Sequence, residues 1–251
     1  MKKYILILLI LPLITLVFAQ NNLSTIDFEV NKITPPIALS KQGLKEAKNL
    51  TDLNPRYPSN WVKAYKSVEI TTIQDGKIMK ARGQNDQLTQ EQKSLMLDAD
   101  VNTDISINIE YMPDNNLKTN ELQSFSFSLS VLPEKDAVFI GGNQELQRYL
   151  KKNMMDDIDP AVFNGYDLAV ITFSVDEAGR IVDVQTFDNA YYSFKDENIE
   201  KILIEALCNM PDWQPASYAN GRRVKQDFVL TVGNHQNCIL PLLNIGRNAE
   251  R

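Results

Sequence analysis

The chain has 251 residues, 43% of them hydrophobic and 23% charged, with a formal net charge of −6. That length can bury a core and accommodates two modest domains, and the composition excludes a chain too polar to fold. The acidic balance counts against nucleic acid and anionic membrane surfaces as partners.

Residues 1–19 read as a cleavable export signal, with Lys2 and Lys3, an apolar run over residues 5–19, and Val17 and Ala19 as the small residues before Gln20. The run of 15 residues is shorter than the roughly 20 needed to span a bilayer, so an inner-membrane anchor is the lesser reading. No cysteine follows the run, which counts against a lipid anchor. Cleavage after Ala19 leaves 24 basic against 32 acidic residues, a net charge of −8. The expected location is the periplasm or cell envelope, with no membrane span in the mature chain.

Residues 20–58 carry Pro35, Pro36, Pro55 and Pro58 and a short polar helical patch over residues 44–49. They read as an extended lead-in or linker draped over the next domain. Residues 59–135 change pattern. Val68, Ile70 and Thr72 alternate toward a turn at Asp75-Gly76, and Ile78 resumes the strand, which predicts a hairpin. Thr89 and Gln92 have the capping-box spacing before a short helix. Ile105, Ile107, Ile109 and Tyr111 form one alternating strand, and Phe125, Phe127, Leu129 and Val131 form another, with Ser124, Ser126, Ser128 and Ser130 on its wet face. This region is expected to be a small β-sandwich.

Residues 136–233 have a different order. Gly141 and Gly142 free the backbone ahead of Asn143, the expected N-cap of a helix with Leu146, Tyr149 and Leu150 at helical spacing. The glycine pair reads as structural, because no Lys-Ser or Lys-Thr follows it as phosphate binding would require. Ala169, Ile171, Phe173 and Val175 share a strand face, and a turn with Gly179 in a left-handed conformation returns the chain over residues 181–187. Ser193 and Asp196 cap a helix whose stripe is Ile199, Ile202, Leu203, Ala206, Leu207 and Met210. Pro211 ends it, Trp213 and Pro215 are placed to stack over the core, Asn220-Gly221 turns, and residues 224–232 make a last strand. Residues 234–251 read as a tail.

Chemistry-bearing constellations are sparse. His235 is the single histidine and falls in the polar tail. No His, Cys and carboxylate cluster has metal-ligand spacing, and the acids Asp98, Asp100, Asp156, Asp157 and Asp159 do not follow a calcium-loop pattern. The expectation is a chain with no catalytic residue, no metal and no cofactor. Cys208 and Cys238 are the two cysteines, and a disulfide pinning the tail stands beside the alternative of two unrelated thiols.

Two resemblances refine this reading. The Asp75-Gly76 hairpin, the helix start at residues 88–93 and the strands at residues 105–111 and 125–131 resemble the immunoglobulin-like domain of Bacteroidetes gliding-motility and type IX secretion periplasmic proteins. Met112-Pro113-Asp114-Asn115-Asn116 stands where that family has a Lys-Gly-Pro-Asp-Gly-like turn. The motifs Phe139-Ile140-Gly141-Gly142 with Leu146 and Tyr149-Leu150, residues 171–184 and 210–216, Asn220-Gly221 and the strand from Val224 resemble the C-terminal domain of the TonB family. Asp159-Pro160 and Tyr166-Asp167 replace that family's Tyr-Pro and glycine before the first strand.

The resemblances imply a fold that is all-β followed by α+β: an immunoglobulin-like β-domain, then an antiparallel sheet with two helices. They imply a protein partner, an outer-membrane TonB-dependent receptor or a secretion component, taken up as an added strand beside Val224, Gln226, Phe228, Leu230 and Val232. Gly141, Gly142, Gly179, Trp213 and Pro215 become the structural motif. A long proline-rich spacer and a coupling helix are not recognised, so an accessory role is expected rather than direct energy transduction. The alternative is a structural or adhesion protein that uses the β-domain, with the second module as scaffold; self-association is left open.

Overall fold

The computed structural model describes residues 26–74, 76–101, 103–115, 121–163, 168–187 and 196–233. The expected export signal, the expected tail with His235 and Cys238, Asp75, Ser193 and the Tyr166-Asp167 pair lie outside them. As expected, the chain is rich in antiparallel strands with few helices.

The lead-in is more than a linker. It forms β1 (Asp27–Lys32), β2 (Ala38–Ser40), α1 (Lys41–Glu46) and α2 (Leu50–Leu53). Ser40 caps α1 by accepting the Gly43 amide at 3.1 Å, and Asn49 and Asp52 form a reciprocal capping box on α2. Leu44, Ala47, Leu50 and Leu53 are buried in the core. Pro35 and Pro36 fall in the crossing between β1 and β2, so the prolines of the expected extended lead-in or linker mark a step from one sheet to the other.

The next elements are β3 (Val62–Gln74), β4 (Lys77–Gly83), α3 (Gln90–Asp98), β5 (Asp104–Pro113) and β6 (Gln123–Leu132). They give a five-stranded sheet ordered β2-β6-β5-β3-β4, with β2 parallel to β6 and the other pairs antiparallel. Alternation places Val68, Ile70, Ile105, Ile107, Ile109, Leu129 and Val131 on the buried face. Ser124, Ser126 and Ser128 stand exposed as expected, whereas Ser130 is buried and donates to Asp104 at 3.2 Å. Among the described residues these strands form one sheet with α3 packed on β3 and β4, rather than the two facing sheets of a sandwich. Gln92 shows how: it completes the capping box with Thr89, is fully buried, and its amide donates to the Val68 carbonyl at 3.0 Å, fastening α3 to β3.

The second module contains β7 (Val138–Phe139), α4 (Gly142–Asn153), β8 (Leu168–Val175), β9 (Ile181–Thr186) and α5 (Glu197–Cys208). It ends with β10 (Trp213–Gln214), β11 (Ala216–Ser217), β12 (Arg223–Val224) and β13 (Gln226–Gly233). Its main sheet is ordered β1-β13-β8-β9, antiparallel throughout. The helix expected to begin after Asn143 is capped instead by Gly141 at φ 95°, with Gly142 as its first residue. Asp196 caps α5 as expected, accepting the amides of Asn198 and Ile199. Tyr149 Oη donates to the Ala206 carbonyl at 2.9 Å and ties the two helices together.

The core runs through both modules as one cluster, from Leu44 and Ile107 to Phe173, Leu203 and Leu230. At the junction Val101 donates its amide to Tyr218 Oη at 2.8 Å, and Lys41 Nζ lies 4.4 Å above the Tyr218 ring while donating to the Leu97 carbonyl. Arg222 pairs with Asp100 at 2.6 Å. Burial pushes the Tyr218 hydroxyl up to about 12 and lowers the Lys41 ammonium from its ordinary value.

Candidate protein-binding edge

The last strand is the expected site, and its surroundings begin with the turn that precedes it. Asn220-Gly221 turns as read, with Gly221 at φ 83°. Arg223–Val224 then pairs with Ala216–Ser217, and the chain breaks at Lys225 before β13 begins. Val224, itself buried, therefore belongs to a small hairpin, not to the strand of Gln226, Phe228, Leu230 and Val232, which corrects the expected five-residue set. Lys225 Nζ reaches Asp183 at 2.8 Å, and that bond with the Asp183 charge raises the lysine above its ordinary value.

Nor is β13 an edge strand. β13 pairs on one side with β8, over eight positions from Gln226↔Val175 to Gly233↔Leu168. On the other side it pairs with β1, over six positions from Asp27↔Gly233 to Lys32↔Phe228. The side of β13 expected to be open is covered by the chain's own lead-in. Phe28 and Val30 stand opposite Val232 and Leu230 and pack, half-buried, against the main core. Ile33 prolongs the ladder, donating its amide to the Asp227 carbonyl at 2.9 Å, and packs with Phe187 against Leu168, Val170 and Val229 on the other face.

One acid fixes the end of this pairing. Asp136 accepts Lys32 Nζ at 2.6 Å and the Gln226 amide at 2.8 Å, while Gln226 Oε1 accepts the Ala137 amide at 2.7 Å. Partial burial by itself would raise the Asp136 carboxyl, but the Lys32 ammonium and the Gln226 donor outweigh it and hold the group below its ordinary value. Phe28, Val30, Lys32 and Asp136 are absent from the sequence-derived set. The alternation of Phe28 and Val30 with Asp27, Glu29 and Asn31 is a strand signal, although it names no partner strand.

The remaining expected residues are structural. Trp213 is buried with Phe139, Phe173 and Phe228, at ring-centroid distances of 5.7, 6.1 and 5.0 Å, and its indole N–H faces the Met210 sulfur. Gly179 has φ 90°, and a Cβ there would lie 2.0 Å from the Trp213 carbonyl oxygen. Asp176 closes that turn by accepting the amides of Ala178 and Arg180 and the Arg180 guanidinium; these donors overcome the effect of burial and lower its carboxyl. Pro215 is half-buried between β10 and β11. Cys208 is exposed at the end of α5, and Cys238, with which a disulfide stood as one of two readings, lies outside the described residues.

The other outer strands are differently finished. β9 carries Asp183 at φ 53° beside a register irregularity with β8, a bulge that bends the edge away from regular pairing. β4 exposes Lys77, Lys80 and Arg82, the last two paired with Glu69 at 2.7 and 2.6 Å. An open cleft of about 720 Å³ lies beside α4, lined by Phe139, Ile140, Arg148, Tyr149, Lys152 and Pro211. Among the described residues no group of three or more His, Cys, Asp or Glu is placed to hold a metal ion, and no helix is long and apolar enough to cross a membrane. Comparison with family models, with curated proteins and with solved structures returned no match.

Proposed function

We propose that the protein is an exported envelope component whose second module takes up an extended segment of a protein partner beside β13, in TonB-dependent transport or envelope assembly. The reading gives it no catalytic role and no cofactor. Its main support is the β1 and β13 ladder: a six-residue strand from outside the module already completes that side of the sheet. Main-chain bonding supplies affinity in such an arrangement, and alternate side chains supply selectivity. The partner in this reading is an outer-membrane TonB-dependent receptor or a secretion component, and the location is the periplasm.

The second reading, adhesion through the β-domain, draws on the uncovered row of Ser124, Ser126 and Ser128 on the outer face of the five-stranded sheet. A photo-crosslinking amino acid placed at Lys135, exposed next to Asp136 on the covered side of β13, or at Ser126 in the intact envelope separates the two. Adducts from Lys135 to an outer-membrane transporter or secretion component are expected. Adducts from Ser126 alone would transfer the function to the β-domain.

A further inference from the structure

We propose that β1 is a removable, built-in stand-in for the partner segment, and that the site beneath it selects an extended antiparallel peptide of the form apolar-x-apolar-x-cation. The inference rests on the reading that β13 is the capture strand, and it adds what the site recognises and what must move first.

The two sides of β13 are unequal. Against β8 it is held over its full length, and its own side chains Phe228, Leu230 and Val232 are buried. Against β1 the partner side chains are half-buried or exposed, and the ion pair of Lys32 with Asp136 has side-chain exposures of 51% and 43%. Departure of β1 leaves β13, β8 and β9 as a continuous antiparallel sheet with α5 still packed on it. The opposite outer strand, β9, is bent by its bulge at Asp183, so β13 is the side of this sheet left regular for pairing. The chain after β1 leads to β2, which belongs to the other sheet, so β1 is tethered through the Pro35-Pro36 crossing rather than by its own module.

The contacts β1 now makes define the ligand. Positions equivalent to Phe28 and Val30 meet the main core beside Val232 and Leu230, and take an aromatic or aliphatic side chain. The position two residues beyond Val30 is Lys32, where Asp136, itself held by the Gln226 amide, presents a carboxylate acceptor for an ammonium or guanidinium. The intervening positions of Glu29 and Asn31 lie on the opposite face and are less restrictive. Main-chain pairing fixes direction: the ligand runs antiparallel to β13.

The test uses the full chain with Cys208 and Cys238 replaced by serine and a fluorescein-labelled synthetic peptide of residues 26–33. In one variant Phe28→Ser with Val30→Ser loosens β1; in another Glu29→Cys with Thr231→Cys, directly opposite in register, locks it as a disulfide. The loosened chain is expected to bind the peptide at least tenfold more tightly than the unsubstituted one. The oxidised lock is expected to bind at least tenfold more weakly and to recover on reduction. A peptide carrying Lys32→Glu is expected to bind several-fold more weakly. A folded loosened chain that binds no peptide, or equal binding by locked and reduced forms, overturns the inference. If the loosened chain does not fold, hydrogen exchange on the unsubstituted chain decides: β1 amides exchanging faster than those of β8 support a removable strand, and equal protection overturns it. Peptide uptake without transporter adducts from Lys135 would leave this inference standing and remove the proposed function; adducts from Lys135 with a folded loosened chain that binds no peptide would do the reverse.

Discussion

Gly179 stands at φ 90° in the turn between β8 and β9, where an added Cβ would lie 2.0 Å from the Trp213 carbonyl oxygen and where the Trp213 amide donates to the Gly179 carbonyl at 2.7 Å. Gly179→Ala combines a left-handed cost of about 1–2 kcal/mol with a backbone clash that neither partner can relieve, so a loss of at least about 3 kcal/mol is expected in urea unfolding. Gly142→Ala is the control: φ is 77° but nothing lies within 4 Å of the added methyl, so the conformational cost of about 1–2 kcal/mol stands alone. Equal losses at the two sites would refute the clash.

Asp136 is invisible in sequence because its partners, Lys32 and Gln226, lie about a hundred residues away on either side. Its carboxyl is held low in the folded chain, so its contribution is fully present above the ordinary carboxylate value near 4 and is lost as pH falls through the lower folded value. Protection of β1 amides is therefore expected to be constant between about pH 5 and 8 and to drop below about pH 4. Because the pair is solvent-exposed, Asp136→Asn should reduce that protection by no more than about 1 kcal/mol. Loss of protection that begins at neutral pH would assign the control to another group.

At the scale of elements, local signals are legible where they act within one turn of chain. The Thr89 and Gln92 capping box is present as spaced, and alternation assigns the buried faces of β3, β5 and β6, whereas β8 is buried on both. Long-range pairing is not legible: nothing near residue 27 states that it meets residue 233, and the alternation of Val224 with Gln226 continues smoothly across the real break at Lys225. Gln92 carries both lessons. Its cap is readable, but its bond to the Val68 carbonyl in β3 is not. Thr89→Ala removes one cap and should cost about 1 kcal/mol. Gln92→Ala also removes a buried donor from Val68 and empties its fully enclosed position, so about 2–3 kcal/mol is expected by chemical denaturation. Equal costs for the two would show that the bond to β3 contributes nothing.

The two regions that read as separable domains are joined in the whole molecule by three independent ties. β1 and β2 place consecutive pieces of one lead-in into the two sheets, the core passes between the modules without interruption, and Tyr218 gathers Val101, Lys41 and Arg222 at the junction. Composition shifts and prolines cannot reveal this, because a chain crossing between sheets and a solvated linker use the same turn-forming residues. Such continuity predicts one cooperative transition. The chain supplies its own reporters, since Trp61 precedes β3 in the first module and Trp213 lies in the aromatic cluster of the second. Fluorescence of Trp213 in a Trp61→Phe background should therefore trace the same urea midpoint as the circular dichroism of the whole chain, because separately folded modules would give two. Tyr218→Ala in that background withdraws the hydroxyl from Val101 and the ring from Lys41 together, and should lower the midpoint of both probes by a similar amount. A Trp213 midpoint that stays in place while circular dichroism shifts would mean that the modules stand independently and that the junction only keeps them adjacent.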